Sequence, residues 1–331
     1  MFAAGARRYS GIGDNEIKTT MTTKTIDKDN QTACPPSGAI EWPTVGLALL
    51  CYGLWAFGTT SASQTWLPLG VALATLSAAL HSSLTHEALH GHPFRSRFWN
   101  AALVFPALSV LVPYLRFKDT HLAHHRDTRL TDPYDDPETN FLDPAQWEKY
   151  STLQRRILNA NNTLAGRMLL GPALGTWAFV AGDLRLIQQG DKRVLWGWVL
   201  HVPAVALVVI WMVYVAQMPL WAWLLSIYLA HSILKIRTFL EHRAHKDACG
   251  RTVVIEDRGL LALLFLNNNL HVVHHMHATV PWYKLPALYR ARKQQFLTRN
   301  DGYKYRSYGE VFRRYFWRAK DPVPHPLWPK H

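Results

Sequence analysis

Two long stretches without charged residues constrain the fold of this chain more than any other feature. No Asp, Glu, Lys or Arg occurs from Trp42 to Thr85 or from Val194 to Leu234. Each stretch is long enough for two membrane-crossing helices of about 20 residues joined by a short turn. Soluble proteins seldom leave two such stretches uncharged, so the sequence predicts an all-α integral membrane protein.

The predicted membrane helices form two hairpins separated by a long polar region. We expect four transmembrane helices, at residues 40–57, 66–84, 194–215 and 220–240. Residues 1–38 are polar and rich in threonine, and we predict a disordered tail there. Residues 39–290 then form one membrane domain, and residues 291–331 form a basic cytoplasmic tail.

The distribution of Lys and Arg predicts how the chain lies in the membrane. Both short turns lack these residues, whereas the tail and the regions after each hairpin contain them. The positive-inside rule therefore places both termini and every histidine-rich segment on the cytoplasmic side, of the plasma or inner membrane in a bacterium. The net charge of +13 also admits nucleic acid as a partner. Nothing in the sequence resembles a nucleic-acid-reading module, so we predict no nucleic-acid partner.

Closely spaced histidines are the strongest chemical signal. They occur in the patterns HxxxH, HxxHH and HxxHH, formed by His86 and His90, by His121, His124 and His125, and by His271, His274 and His275. On a helix, residues three and four positions apart point the same way. Neutral imidazole binds zinc, copper, iron and nickel. Three such segments far apart in sequence suggest one metal site assembled in space.

The first pattern has a competing interpretation. His86-Glu87-Ala88-Leu89-His90 also matches HExxH, in which the two histidines of a zinc protease bind zinc and the glutamate is the general base. A zinc protease needs one more ligand and leaves the other two segments unexplained. Because zinc takes at most four protein ligands, eight histidines fit two metal ions better.

The three patterns, in this order and with hydrophobic hairpins between and beside them, resemble the histidine boxes of the integral-membrane fatty acid desaturase family. The resemblance covers residues 40–290. It implies that the eight histidines bind two non-haem iron ions under a cytoplasmic helical cap, and that the irons activate O2 to attack an unactivated C–H bond.

The resemblance also implies further site residues. The family uses one more histidine after the fourth membrane helix, for which His242 and His245 compete, with His242 favoured. Three polar residues are predicted to orient metal ligands, namely Glu87, Glu241 and Asn269. Three aspartates beside prolines are interpreted as turn residues or, alternatively, as partners of the imidazoles: Asp132, Asp135 and Asp136.

We therefore expect an O2-dependent desaturase that introduces a C=C bond into an acyl lipid or acyl thioester. The alternative is a membrane hydroxylase or ketolase, because residues 131–133 and 281–286 resemble segments of carotenoid ketolases. The chain has no CxxC pair or dinucleotide fingerprint, so electrons must come from a ferredoxin, a rubredoxin or a cytochrome b5 type protein with its reductase. The basic C-terminal segment is predicted to dock that carrier or, alternatively, anionic membrane lipid.

Overall fold

The computed structural model describes residues 40–125 and 129–328. The predicted N-terminal tail, residues 1–38, lies outside these residues. The prediction of a mainly helical protein is confirmed. The helices are α1 Trp42–Thr65, α2 Leu67–Leu89, α3 Arg97–Leu103, α4 Tyr114–His124, α5 Pro144–Glu148, α6 Thr152–Asn161, α7 Leu164–Leu169, α8 Gly171–Gln188, α9 Lys192–Tyr214, α10 Leu220–Thr238, α11 Leu260–Leu264, α12 His271–Met276, α13 Leu285–Ala291, α14 Lys293–Arg299 and α15 Tyr308–Tyr315.

The longest helices occupy the four predicted membrane segments. By length and composition, α1, α2 and α9 are long and apolar enough to cross a membrane. The fourth segment forms α10, which carries Lys235 and Arg237 in its last turn and does not belong to this set of three. Helix α10 packs most extensively against α2, so the two hairpins form one bundle.

The turn predicted between the first two helices is misplaced. Residues 58–64 do not reverse the chain, because α1 continues through a π-helical turn at Gly58–Ala62 and ends only before the extended Trp66. In the wide turn of a π-helix, backbone carbonyls lose the N–H donors that they would have in an α-helix. Here the hydroxyls of Thr59 and Thr60 donate to carbonyls of the preceding turn, at 2.9 and 2.6 Å. Polar hydroxyl residues thus extend this helix rather than end it.

A buried ion pair ties the middle of the chain to the bundle. Arg116 on α4 donates through Nε and Nη2 to both carboxylate oxygens of Asp183 on α8, each at 2.8 Å. The indole N–H of Trp198 on α9 donates to the same carboxylate, also at 2.8 Å. Helix α4 carries the second histidine pattern, so this contact fixes the helix against both neighbours.

The chain after α10 folds into a compact cap that includes the predicted C-terminal tail. Strand β1 (Val254–Ile255) pairs in parallel with β2 (Lys304–Tyr305). Tyr303, Tyr308 and Val311 are buried in one hydrophobic cluster with residues that end α10. The prediction of a separate tail over residues 291–331 is therefore wrong as far as Trp328, because its aromatic residues supply core packing that its basic composition concealed.

Candidate metal centre

The structure gathers nine of the ten predicted metal ligands into two adjacent groups. The five-histidine cluster consists of His86, His90, His121, His125 and His274. The four-histidine cluster consists of His124, His242, His271 and His275. Within each cluster, the ring nitrogens offered as ligands all lie within 4.8 Å of one another. Stacked rings of His125 and His275, 4.3 Å apart between centroids, join the two clusters.

Helical geometry explains why each HxxHH pattern serves both clusters. Residues four apart on a helix are separated by little more than one turn, whereas the residue between them points to a different side. His121 and His125 at the end of α4 therefore enter the five-histidine cluster, and His124 enters the other. On α12 the division is reversed, because His271 and His275 join the four-histidine cluster while His274 joins the other.

His242 enters the site and His245 does not. Helix α10 ends at Thr238, and the following segment forms a bridge between His242 and Thr252. This pairing directs the His242 ring toward His124, with 2.8 Å between their Nε2 atoms. The ring of His245 instead lies against Gly250 and places Nε2 3.3 Å from Asp301. The rings of His242 and His245 point in different directions because both residues follow the end of α10 and do not share a helix.

The ring nitrogens are arranged as metal ligands would be. Nε2 atoms of neighbouring histidines approach to 2.9 Å between His121 and His125, and to 3.1 Å between His125 and His274. Two nitrogens bound at about 2.1 Å to one ion, at right angles, lie about 3 Å apart. Nε2 of His86 and of His90 are buried without a hydrogen-bond partner among the described residues. Buried polar atoms normally have partners, so these inward-facing nitrogens fit metal ions.

The outward nitrogens of three ligands are held by side chains. Nδ1 of His124 lies 2.7 Å from Asp136, and Nδ1 of His121 lies 3.0 Å from Glu138. Nδ1 of His271 lies 3.1 Å from the side-chain oxygen of Asn268. Such partners fix the tautomer in which Nδ1 carries the proton and Nε2 offers a lone pair.

Burial and mutual repulsion keep most of these rings neutral. Burial lowers the pKa of His242, His271 and His274 well below the usual value, and nearby imidazoles act in the same direction. Burial also acts to lower the pKa of His124, but the carboxylates of Glu138 and Asp136 outweigh it and raise that pKa to about 9. Neutral imidazole is the form that binds a metal.

The orienting residues predicted from sequence need correction at two positions. Asn269 donates to the backbone carbonyls of Ile255 and Asp257, at 2.7 and 3.1 Å. These hydrogen bonds attach its segment to β1. Its neighbour Asn268 contacts His271 instead. Glu241 lies beside the site: its Oε1 accepts from Asn268 at 3.1 Å and lies 3.9 Å from Nδ1 of His271.

Glu87 faces away from the histidine clusters. Within the described part of the chain, its carboxylate accepts a hydrogen bond from the backbone N–H of Trp282 at 3.3 Å. It shares its surroundings with the buried Glu41–His92 pair rather than with a cluster ring. A zinc protease needs this carboxylate beside the metal-bound water. The arrangement therefore does not support the HExxH interpretation.

Sequence reasoning missed Glu138 and left Asp136 as an alternative. Both lie in the acidic loop that follows the second histidine pattern, where prolines favour a simple turn. The loop folds back so that Asp136 accepts from the backbone N–H groups of Thr131 and Glu138 while it contacts His124. The only signal in the sequence is the run of acids, Asp132 to Glu138, which does not reveal the fold-back.

An apolar cavity lies near the five-histidine cluster, on the far side of the Phe117 ring. Its volume is about 340 Å³, within the range of small-molecule sites, and its walls come mainly from α2, α4, α9, α10 and the segment 104–112. Phe117 lines the cavity, and its ring centroid lies 6.5 Å from that of His86 and 5.5 Å from that of His121. A hydrocarbon in this cavity would therefore contact Phe117, which in turn lies against His86 and His121.

Comparison with known proteins agrees with this geometry. The family model described as fatty acid desaturase matches residues 64–307, which is well over half of the chain. A beta-carotene ketolase from Paracoccus sp. (strain N81106 / MBIC 01143) is 28% identical over 253 residues, covering 73% of this chain and 86% of the ketolase. The family match spans all three histidine patterns, the segment of His242 and most of the cap. The chain belongs to the fatty acid desaturase family.

Proposed function

We propose that this chain is an O2-dependent membrane oxidoreductase in which each histidine cluster holds one iron ion. The observation that carries the proposal is the convergence of nine histidines into two clusters beside an apolar cavity. Neutral nitrogen ligands suit iron as well as zinc or copper, and membership of the family favours iron. Bound iron supplies the O2 chemistry needed to break an unactivated C–H bond, which side chains alone cannot do.

The chain's own residues prepare the site. Asp136, Glu138 and Asn268 hold the ligand rings so that each presents Nε2 to the interior. Arg116 and Asp183 hold α4, and with it the second histidine pattern, against the membrane helices. The apolar wall at Phe117 positions a hydrocarbon and excludes water from it.

We further propose that the reaction is desaturation of a fatty acyl chain. Two hydrogen atoms leave adjacent carbons, a C=C bond forms, and O2 is reduced to two molecules of water with two electrons and two protons. The electrons come from an external carrier of the ferredoxin, rubredoxin or cytochrome b5 type with its reductase. The apolar residues that line the cavity support a hydrocarbon substrate.

Ketone formation on a carotenoid is the second candidate. The observation in its favour is the beta-carotene ketolase that is similar to this chain over 86% of the ketolase's length. The same ligands serve hydroxylation and desaturation, since the two reactions diverge only after the first hydrogen abstraction. The clusters therefore do not distinguish the two candidates.

The membrane arrangement is part of the same proposal. Helix α10 serves as a fourth span, and its last turn brings Lys235 and Arg237 to the cytoplasmic boundary. The cap, both termini and both clusters then face the cytoplasm, where reduced carriers are available. The basic residues of 290–314 dock an acidic carrier or anionic lipid headgroups.

A product profile tests this function. The native chain and a His274→Ala variant are expressed at equal levels in aerobic cells that contain a carrier and its reductase, with and without a carotenoid supply. Lipids and pigments are then analysed by mass spectrometry. We expect new acyl double bonds with the native chain alone. Ketocarotenoids without new double bonds would establish the second candidate, and unchanged lipids and pigments would refute both.

A further inference from the structure

A second, polar cavity adjoins the four-histidine cluster. It has a volume of about 440 Å³, and His124 and His242 lie on one side of it. Four basic residues line it as well, namely Arg167, Lys235, Arg237 and Lys320. Basic side chains are rarely buried unless they are paired with an anionic group. A buried basic side chain that has no such partner within the protein therefore indicates that the cavity binds an anion.

The acidic residues of this cavity are already engaged. Asp136 and Glu138 hold ligand histidines. Glu241 accepts from Asn268 and pairs with Nε of Arg237 at 3.4 Å. Asp321 pairs with Lys320 at 3.2 Å. None of these carboxylates forms a direct ion pair with Arg167 or Lys235 among the described residues.

Arg167 and Lys235 lie close together, and neither forms an ion pair with a described carboxylate. Arg167 is 6% exposed and donates only to uncharged oxygens of residues 140, 161 and 162. Lys235 makes no hydrogen bond or ion pair within the described ranges, and its ammonium lies against Gly175, where an added Cβ would be 3.0 Å from Nζ. At Gly171, an added Cβ would touch both Arg167 and Lys235. Gly171 and Gly175 of α8 therefore leave the space that the side chains of Arg167 and Lys235 occupy.

Arg237 adds unsatisfied donors to the same place. Its Nη1 is buried and makes no hydrogen bond with the described residues, and its Nε has only the 3.4 Å ion pair with Glu241. Leaving a buried charged donor unsatisfied is costly, because the group loses its hydration and gains no partner in return. An anionic oxygen group in the cavity would satisfy these donors and neutralise the two unpaired charges.

The polar cavity adjoins the apolar one and shares lining residues with it. Phe117, Lys235 and Arg237 line both. A molecule that spans the junction would have its charged end among the basic residues and its hydrocarbon among apolar walls. It would also pass Phe117, which contacts the rings of His86 and His121. An amphiphile with one anionic end fits this shape.

We propose that Arg167, Lys235 and Arg237 bind the carboxylate or phosphate of a long-chain lipid whose hydrocarbon occupies the apolar cavity. The proposal rests on the proposed function in one respect, that this lipid is the substrate of the metal centre. It makes an anionic acyl lipid a better substrate than a neutral carotenoid.

Binding to the native protein tests the charge preference without any substitution. Full-length protein, purified in detergent with its metal, is titrated with palmitate, methyl palmitate and hexadecanol, and with phosphatidic acid and phosphatidylcholine. We expect an anionic ligand to bind about tenfold or more tightly than its neutral analogue, because a charge-assisted hydrogen bond is lost in the analogue. Preference for palmitate identifies a free fatty acid as the source, and preference for phosphatidic acid a phospholipid. Equal binding of acid, ester and alcohol, together with equal binding of the two phospholipids, overturns the proposal.

A matched pair of lysine substitutions locates the site. Lys235→Met should abolish most of the preference for the anion, Lys235→Arg should retain it, and Lys192→Met at the exposed start of α9 should leave it unchanged. Metal content of each variant shows that the clusters are intact. Preference that survives Lys235→Met in a metal-loaded protein contradicts the assignment.

The outcomes separate this inference from the proposed function. Anion preference with unchanged lipids and pigments in cells leaves the binding site standing and refutes the reaction. New double bonds, with palmitate and its methyl ester bound equally, support the reaction and refute the binding site.

Discussion

At the scale of single residues, carboxylates beside the clusters hold ring nitrogens of the ligand histidines. Asp136 is 4% exposed and accepts from two backbone N–H groups as well as from His124. A side chain held this firmly cannot reorient, and it holds the ring in turn. The metal-binding geometry therefore depends on residues that never contact the metal.

We predict that Asp136→Asn weakens metal binding by about 10- to 100-fold, the usual effect of removing such a partner. Asp135→Asn is the matched control, because its carboxylate is 44% exposed and pairs only loosely with Arg129, 3.6 Å away. Competition with a metal chelator measures both. Equal metal affinity in the two variants would show that Asp136 does not orient His124.

His242 and His245 provide a second pair. Because His242 alone lies in a cluster, we predict that His242→Ala lowers the metal content of the four-histidine cluster, and that His245→Ala retains the native content. Elemental analysis of purified protein measures the difference. Loss of metal in the His245 variant and retention in the His242 variant would reverse the assignment.

The identities of the ligands could be predicted from the sequence, but their partners could not. Spacing of three and four residues is a local helical property, so the boxes are visible in the sequence. Asn268 and Asn269 are adjacent and chemically identical, and only the pairing of the chain with β1 decides which one meets His271. Glu138 reaches His121 by a loop whose path depends on packing against the cap.

At the scale of elements, the hairpin of α1 and α2 depends on close backbone approach. A Cβ added to Gly70 would lie 2.3 Å from Oγ of Ser63 and 2.7 Å from the carbonyl oxygen of Gly58. At Gly53 on α1 nothing lies within 4 Å of an added Cβ. Gly70 therefore allows the two helices to pack closely, whereas Gly53 faces open space.

We predict that Gly70→Ala destabilises the protein by about 1–3 kcal/mol through overpacking. Gly53→Ala should be neutral or slightly stabilising, because alanine favours helix by up to about 1 kcal/mol. Thermal unfolding of the two variants in the same detergent compares them. Equal stability would show that the helices can separate without cost.

The anchor of α4 is a second element-scale feature. Asp183→Asn leaves the buried guanidinium of Arg116 without its charge partner, which we predict to cost about 3–5 kcal/mol. Asp119→Asn breaks a geometrically similar pair with Arg193, whose side chain is 79% exposed, and should leave the stability nearly unchanged. Thermal unfolding again measures both. Similar losses in the two variants would contradict the anchoring role.

The long helices follow from the uncharged stretches, whereas their ends do not. Hydroxyl residues at 58–64 look like a turn in sequence, yet they satisfy carbonyls and extend α1. The basic composition of residues 291–331 likewise conceals buried aromatic residues such as Tyr303 and Tyr308. Both errors arise because composition does not record which atoms a side chain will contact.

At the scale of the whole molecule, the bundle and the cap each contribute part of the metal centre. Helix α2 carries the first histidine pattern at its end, and the cap carries the third, so the clusters lie at the boundary between them. The apolar cavity opens among the bundle helices, and the polar cavity lies against the cap. An amphiphilic substrate would meet the metals at the level where its polar and apolar parts join.

The number and identity of the bound metal ions test the central claim most directly. Protein purified from cells grown with iron is analysed for all transition metals, alongside His274→Ala and His271→Ala, which each remove a ligand from one cluster. We predict two irons for each native chain, with selective loss of one in each variant. One ion for each chain, or zinc in place of iron in cells that supply both, would contradict a di-iron centre.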